Sequence, residues 1–318
     1  SYFEWIKSQT NQPRSGASLN GILILKTIFG THSGNFHADD VFAIAALSLL
    51  HPDYEIRRSR DPEVWARCDY LVDVGGHYTH AEKVYDHHFK NGPTYEDGLK
   101  MSSVGLIWSH YGAEICGGPT IADQVRNRLI RQFDAIDNGV KLSTPLDEFA
   151  DAREISLTTS ISMMNPRNPF KADEAFAGEV ARARSLLRAA IARAEHWINS
   201  RAGLETALNE ALAEERAYIL VPEDCKWTEH LFNSEGNESI LYAIFSKGKK
   251  CFAQAVPSAP GEYSNRKDFP QAWAGLSDEA FSEAAGVPDG IFCHQGAFLC
   301  ATGSLESTLK LVEAAINA

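Results

Sequence analysis

ILILKTIF (22–29), THSGNFHADD (31–40) and VFAIAALSLL (41–50) follow one another with only Gly30 between them. The first run is apolar and β-branched and reads as a buried strand. The second is a polar loop carrying two histidines and two aspartates. The third has helical spacing, follows Asp40, and is stopped by His51-Pro52. Working outward, Tyr54–Arg58 reads as a second strand and 61–67 as a short helix with Pro62 in its first turn. YLVDV (70–74) is a third strand closed by Gly75-Gly76, and Val84–Tyr85 a short fourth. Residues 102–111 and 120–138 read as helices. Strands alternating with helices imply a parallel sheet with helices on its faces.

The stretch 173–216 is rich in Ala, Arg, Glu and Leu, lacks Pro, and predicts one long helix or two abutting ones. It leads to a second unit. There, strands are expected at 218–221, 240–246 and 250–256, a Pro/Gly-containing loop at 257–270, and a helix at 277–285. Strands near 291–293 and 298–301 and a helix at 304–316 follow. The expected fold class is therefore α/β: a parallel-sheet N-terminal domain (1–170), a helical connector (171–216) and a smaller α+β C-terminal domain (217–318).

Across 318 residues, 30 Lys+Arg stand against 42 Asp+Glu, a formal charge of −12. That balance argues against a broad basic surface for long nucleic acid, although a local basic groove is compatible with it. The six cysteines, at 68, 116, 225, 251, 293 and 300, form no C-x-x-C pair. They give no support to a zinc ribbon or a disulfide framework and read as reduced thiols. The longest apolar run, 41–47, is too short to span a bilayer. The polar first 20 residues have no secretory apolar segment. A cytoplasmic protein, or an organellar one after processing, is expected.

In open α/β sheets ligands bind at the carboxyl ends of the strands. Here the first strand runs into 31–40, the third ends at Asp73, the fourth at Asp86-His87-His88, and the helix 120–138 ends in FDAIDNG with Asp134 and Asp137. Each cluster has an ordinary structural explanation: His32 and His37 as packed loop residues, Asp39 or Asp40 as a helix cap, Asp73 and Asp137 as turn residues. Four such clusters at the mouth of one sheet are harder to explain separately. Two divalent ions about 3.5–4 Å apart can clamp a phosphoryl group while one generates hydroxide. Such a pair needs a bridging carboxylate, for which Asp73 is well placed, and mixed nitrogen and oxygen ligands outside it. Imidazoles with carboxylates suit Mn2+ or related first-row ions, whereas all-oxygen sets favour Mg2+. No P-loop is present.

Asp86-His87-His88 resembles the signature of the DHH phosphoesterase superfamily. Together with THSGNFHADD (31–40), YLVDVGGHY (70–78), MSSVGLIW (101–108) and AIDNGV (135–140), VYDHHF (84–89) resembles the narrower MYG-one branch. SISMMNP (160–166) and FCHQGAFLCATGSLESTLKLVEAA (292–315) extend the likeness over most of the chain. The resemblance implies a DHH-type N-terminal domain and a manganese-dependent 3′→5′ RNA exonuclease. It implies His32, His37 and Asp39 for the first motif, Asp73 bridging, His87 on metal, and His88 beside it on phosphate or a ligand water. It also implies Asp86 orienting its neighbours, Asp137 for the fourth motif with Asp134 as the alternative, and His294 and Gly296 as substrate contacts of the second domain. Two departures stand out. His37-Ala38-Asp39 holds an imidazole where the superfamily has a carboxylate, and Leu299-Cys300-Ala301 replaces a Gly-rich stretch.

The function expected is a metal-dependent phosphodiesterase, a 3′→5′ exonuclease on short or single-stranded RNA. It would use two divalent ions (Mn2+ first; Mg2+, Co2+ or Fe2+ as alternatives) and a bridging hydroxide. Arg57, Arg58, Arg60, Arg126, Arg128 and Arg131 are candidate backbone-binding cations, or simply solvated faces. A small-molecule phosphatase or pyrophosphatase on the same site, and a non-catalytic metal- or nucleotide-binding protein, are the alternatives. Six Trp and the C-terminal helix offer material for a homodimer without requiring one.

Overall fold

The computed structural model describes residues 26–144, 154–223 and 225–318, with the backbone of two short strands before them. Within the first 194 residues, a five-stranded sheet is built from β1 (Thr27–Thr31), β2 (Tyr54–Arg58), β3 (Tyr70–Val72), β4 (Tyr78–Thr79) and β5 (Val84–Tyr85). Its order is β2-β1-β3-β5-β4. The first four in that order are parallel and β4 lies antiparallel on the edge. The first strand starts later than the sequence suggests. Ile22–Leu23 pairs antiparallel with Ser18–Leu19 instead, residues 24–25 lie outside the described set, and the sheet strand is TIFGT. Gly30 explains the choice. A Cβ there would stand 2.8 Å from the Cys68 sulfur and from Leu71 Cδ2, so only glycine lets β1 lie between its neighbours.

Helix α1 (Ala38–Leu50) follows at once. The Asp40 carboxylate accepts from the His37 N–H at 2.9 Å, closing the helix start. Residues 38–48 are all buried, because α1 lies between the sheet and α3 (Ser103–Cys116). Alternating alanines allow the close approach, and Phe42, Ile44 and Leu47 fill the gaps. After the short α2 (Pro62–Trp65), the chain returns to the sheet. Helix α4 (Pro119–Val125) widens through a π turn (Arg126–Ile130) into α5 (Arg131–Asp137), whose Phe133 stacks on Phe42 at 4.2 Å. Helix α6 (Leu157–Met163) also packs on α1.

A single helix, α7 (Ala172–Ala213), covers the Ala/Arg/Glu-rich stretch. Phe176, Val180 and Leu187 on it are buried in the first core, while Leu204, Leu208 and Ala211 belong to a separate cluster beyond residue 194. The compact units thus divide inside this helix, at 194/195. The second unit has its own sheet: β6 (Tyr218–Leu220), β7 (Tyr242–Lys247), β8 (Lys250–Ala255), β9 (Gly290–Cys293) and β10 (Leu299–Thr302), ordered β9-β10-β8-β7-β6. Only β6 and β7 run parallel. Helices α8 (Trp227–Phe232), α9 (Asp278–Ala285) and α10 (Leu305–Asn317) complete it, with Phe281, Leu311 and Val312 in its core. Among the described residues no helix is long and apolar enough to cross a membrane.

Candidate metal centre

Register brings the acids and histidines together. Gly30 pairs with Leu71, and Val72 pairs with Tyr85, across adjacent parallel strands. One step further along the chain, β1, β3 and β5 end level with one another. His32, Asp73 and Asp86 then emerge at one sheet edge, the edge where such sheets bind ligands. Asp73 ends its strand two residues sooner than the sequence pattern suggests and turns in the left-handed region, φ 58.

His32 Nε2 lies 3.2 Å from Asp40 Oδ2 and 3.2 Å from Asp73 Oδ2. The other Asp73 oxygen, Oδ1, is 3.3 Å from His87 Nε2 and 3.4 Å from His88 Nδ1, and accepts the Ser103 hydroxyl at 2.9 Å. His87 Nε2 is also 3.1 Å from Asp137 Oδ2 and 3.7 Å from Asp39 Oδ2. Asp86 braces the cluster. It accepts from the backbone N–H of Gly76 (2.6 Å) and of His88 (3.0 Å) and meets His88 Nδ1 at 2.9 Å. Among the described residues, three sets have donor atoms within 4.8 Å of one another: His32/His37/Asp73, Asp73/His87/His88 and His37/Asp39/Asp137. Asp73 is common to two of them.

The electrostatics show what the cluster lacks. Both Asp39 oxygens, Asp40 Oδ2 and His87 Nε2 are buried without a hydrogen bond. Burial, then the charges of Asp73, Asp137 and Asp40, push the Asp39 carboxyl well above its ordinary range. Burial also raises Asp137, with Asp73 adding to it against His87. Burial opposes the charged form of His32, yet the Asp40 and Asp73 carboxylates raise it to about 10. Burial likewise opposes ionised Asp73, but the His32 and His87 imidazoles beside its two oxygens hold it well below the carboxylate range. Buried carboxylates without hydrogen bonds are costly unless a cation compensates them. The orphaned oxygens and the mixed nitrogen and oxygen donors fit divalent metal.

Several sequence expectations change. Asp134 is not in the cluster. It is wholly buried one turn before Asp137 and accepts from Tyr95 OH (2.7 Å), Ser102 N–H (2.9 Å) and Ser102 OH (2.7 Å), which fixes the start of α3. Asp40, expected only as a cap, caps with one oxygen and faces His32 with the other. Ser103, in a quoted motif but without a role, reaches Asp73 because α3 begins under the sheet edge. A cavity of about 910 Å³ adjoins the cluster, lined by His37, Asp39, His87, His88 and Asp137 and by Phe89, Lys90, Lys100, Thr158 and Ser162 among others. None of the six arginines expected to hold substrate lines it. Arg58 pairs with Asp173 and lies over Phe176, Arg131 pairs with Asp97 over Tyr95, Arg126 pairs with Asp123, and Arg57 with Glu55. Carboxylates nearer in the fold have taken these four. His294 and Gly296 lie in the second unit, in the turn from β9 to β10, where Gly296 N–H donates to His294 Nδ1 at 3.0 Å.

A parallel-sheet edge carrying linked carboxylate–imidazole clusters beside an open cavity defines a class, the metal-dependent hydrolases. Residues 28–316 match the profile of the MYG1 exonuclease family, described as Uncharacterised protein family (UPF0160). The chain is 31% identical to the human protein named MYG1 exonuclease, over 90% of this chain and 85% of that one. It is 30% identical to a Caenorhabditis elegans MYG1 protein (92% and 96%) and 31% to a Saccharomyces cerevisiae one (89% and 94%). The chain belongs to the MYG1 family. Among solved structures, RecJ in complex with Mn2+ from Thermus thermophilus aligns at 16% identity and a TM-score of 0.26. That alignment takes in 92% of this chain but about half, 52%, of RecJ, and at that score it establishes no shared fold.

Proposed function

We propose that this chain is a metal-dependent phosphodiesterase that removes nucleotides from the 3′ end of short or single-stranded RNA, with two divalent ions, Mn2+ first among them. The observation that carries the reading is the Asp73 carboxylate, which offers one oxygen to His32 and the other to His87 and His88. A carboxylate shared in this way suits a pair of ions. His32 and His37 would serve one side, His87 and His88 or Asp39 and Asp137 the other. When bound, the ions would neutralise charge on the phosphoryl oxygens and make water acidic enough to attack at neutral pH. The chain's own groups do the rest. Ser103 fixes Asp73, and the Asp86 carboxylate accepts from Nδ1 of His88 and raises that imidazole's pKa, so that in its protonated form the exposed ring can donate Nε2–H to a phosphate oxygen. Membership of a family whose human member is named an exonuclease supports nucleic acid as substrate.

The test is turnover with added Mn2+, Mg2+ or chelator on RNA and DNA oligonucleotides blocked at either end, beside pyrophosphate and a dinucleotide. Cleavage of RNA from the free 3′ end, lost in Asp73→Ala, is expected. Turnover of pyrophosphate alone would replace the reading by a small-molecule phosphatase. Bound metal with no phosphoester cleaved would replace it by a binding protein.

A further inference from the structure

The cavity is much larger than the phosphoryl group to be cleaved. At about 910 Å³ it is in the range of sites for whole small molecules. One corner is the acidic cluster. Its only ammonium or guanidinium groups are Lys90 and Lys100, both exposed, and neither pairs with a carboxylate among the described residues. Both are held by a defined frame. The Phe89 N–H donates to the His87 carbonyl at 2.9 Å and Asn91 turns at φ 61, so the chain reverses directly after His88 and keeps Lys90 beside it. Lys100 stands on the return leg of a small hairpin. It is bridged to Thr94, and its carbonyl accepts from the Asn138 amide at 3.2 Å, which ties it to the helix end bearing Asp137. Two unpaired ammonium groups, carried on firmly held backbone at an otherwise negative mouth, call for a ligand with more than one negative group.

We propose that Lys90 and Lys100 form a phosphate-binding subsite that holds the phosphodiesters next to the one being cleaved, so that the site takes a strand by its backbone and tolerates any sequence. Lysines serve this end because an ammonium is a point charge without the planar fork that fixes one geometry. The inference rests on the phosphodiesterase reading above and adds residues that the metal cluster does not use.

The experiment uses the full chain and its variants Lys90→Ala, Lys100→Ala, the double variant, the two arginine replacements, and Lys310→Ala on α10 as a control. Binding of a fluorescein-labelled phosphorothioate RNA tetranucleotide is followed by anisotropy from 25 to 200 mM KCl, and steady-state turnover is measured on a tetranucleotide and a dinucleotide. Each alanine is expected to raise Kd and KM for the tetranucleotide about tenfold, with kcat changing far less, as loss of a charge-assisted contact implies. The slope of log affinity against log salt should become shallower by about 0.7 per lysine. Arginine should restore most of the loss, the dinucleotide should suffer less, and Lys310→Ala should behave as wild type. Wild-type Kd, KM and salt slope in the double variant would overturn the subsite. So would wild-type protein that cleaves a small phosphoester but does not bind the tetranucleotide, and in that case the metallohydrolase reading survives. Wild-type protein that hydrolyses no phosphoester would remove the reading itself.

Discussion

At Asp73 the chain leaves a buried strand through a left-handed turn, and its two carboxylate oxygens face different imidazoles. Asp86, His87 and His88 complete the arrangement from the next strand. The sequence points to these residues because each sits at a strand end, where position alone predicts convergence. Asp137 is preferred to Asp134 only by the family resemblance, since local pattern does not separate the two. Three residues apart on one helix, both point roughly the same way, and only the packing of α3 buries one and leaves the other at the cavity. Ser103 and Lys100 are hidden for a related reason, since Asp73 and Asn138, which they meet, are distant in the chain. Two predictions belong at this scale. Asp86→Asn keeps the shape but loses the charge that orients His88, and a change of this type lowers activity or metal affinity about 10–100-fold. The assay is turnover and metal titration against circular dichroism for the fold. The second concerns protons. His32, held at about 10 by Asp40 and Asp73 despite its burial, carries a proton at pH 7.5 in the metal-free protein, and the buried Asp39 carboxyl is raised as well. Ligation requires deprotonated groups, so metal uptake releases protons and weakens as pH falls. Calorimetric titration of Mn2+ in buffers of different ionisation enthalpy measures the release, and buffer-independent heats would contradict it.

At the scale of elements, the start of α3 decides how the site is supported. The Asp134 carboxylate gathers Ser102 and Tyr95, and Gly105 lies against it so closely that a Cβ would stand 2.5 Å from Oδ1. Asp134→Ala leaves buried donors without a partner, and Gly105→Ala forces the carboxylate aside. Losses of about 2–4 and 1–3 kcal/mol respectively are expected from unpaired buried polar groups and overpacking. Denaturant unfolding measures both. A Gly105→Ala protein as stable as wild type would show that α3 does not need this contact. Strand and helix order was readable from periodicity, including the long Ala/Arg/Glu-rich helix. The first strand was not placed correctly. ILIL and TIF are alike in composition, and what selects TIFGT is the fit of Gly30 between Cys68 and Leu71, a contact across 38 to 41 residues that local pattern does not contain.

For the whole molecule, 42 acidic residues stand against 30 basic ones, and Asp39, Asp40, Asp73, Asp86 and Asp137 crowd one edge of the first unit, an arrangement that bound cations would stabilise. Metal that binds only the folded chain stabilises it by about 2.7 kcal/mol at a hundred times its Kd. Adding Mn2+ should therefore raise the unfolding midpoint of the wild type and leave that of Asp73→Ala unmoved, as read by thermal denaturation with and without chelator. Under the proposed function the same acidity would favour short substrates over long duplexes, since an acidic chain offers a polyanion little long-range attraction. The most direct test of the account is anomalous diffraction at the manganese edge from crystals grown with Mn2+. Two peaks about 3.5–4 Å apart on either side of the Asp73 carboxylate are the predicted result. A single peak, or none within reach of Asp73, His32 and His87, would contradict it.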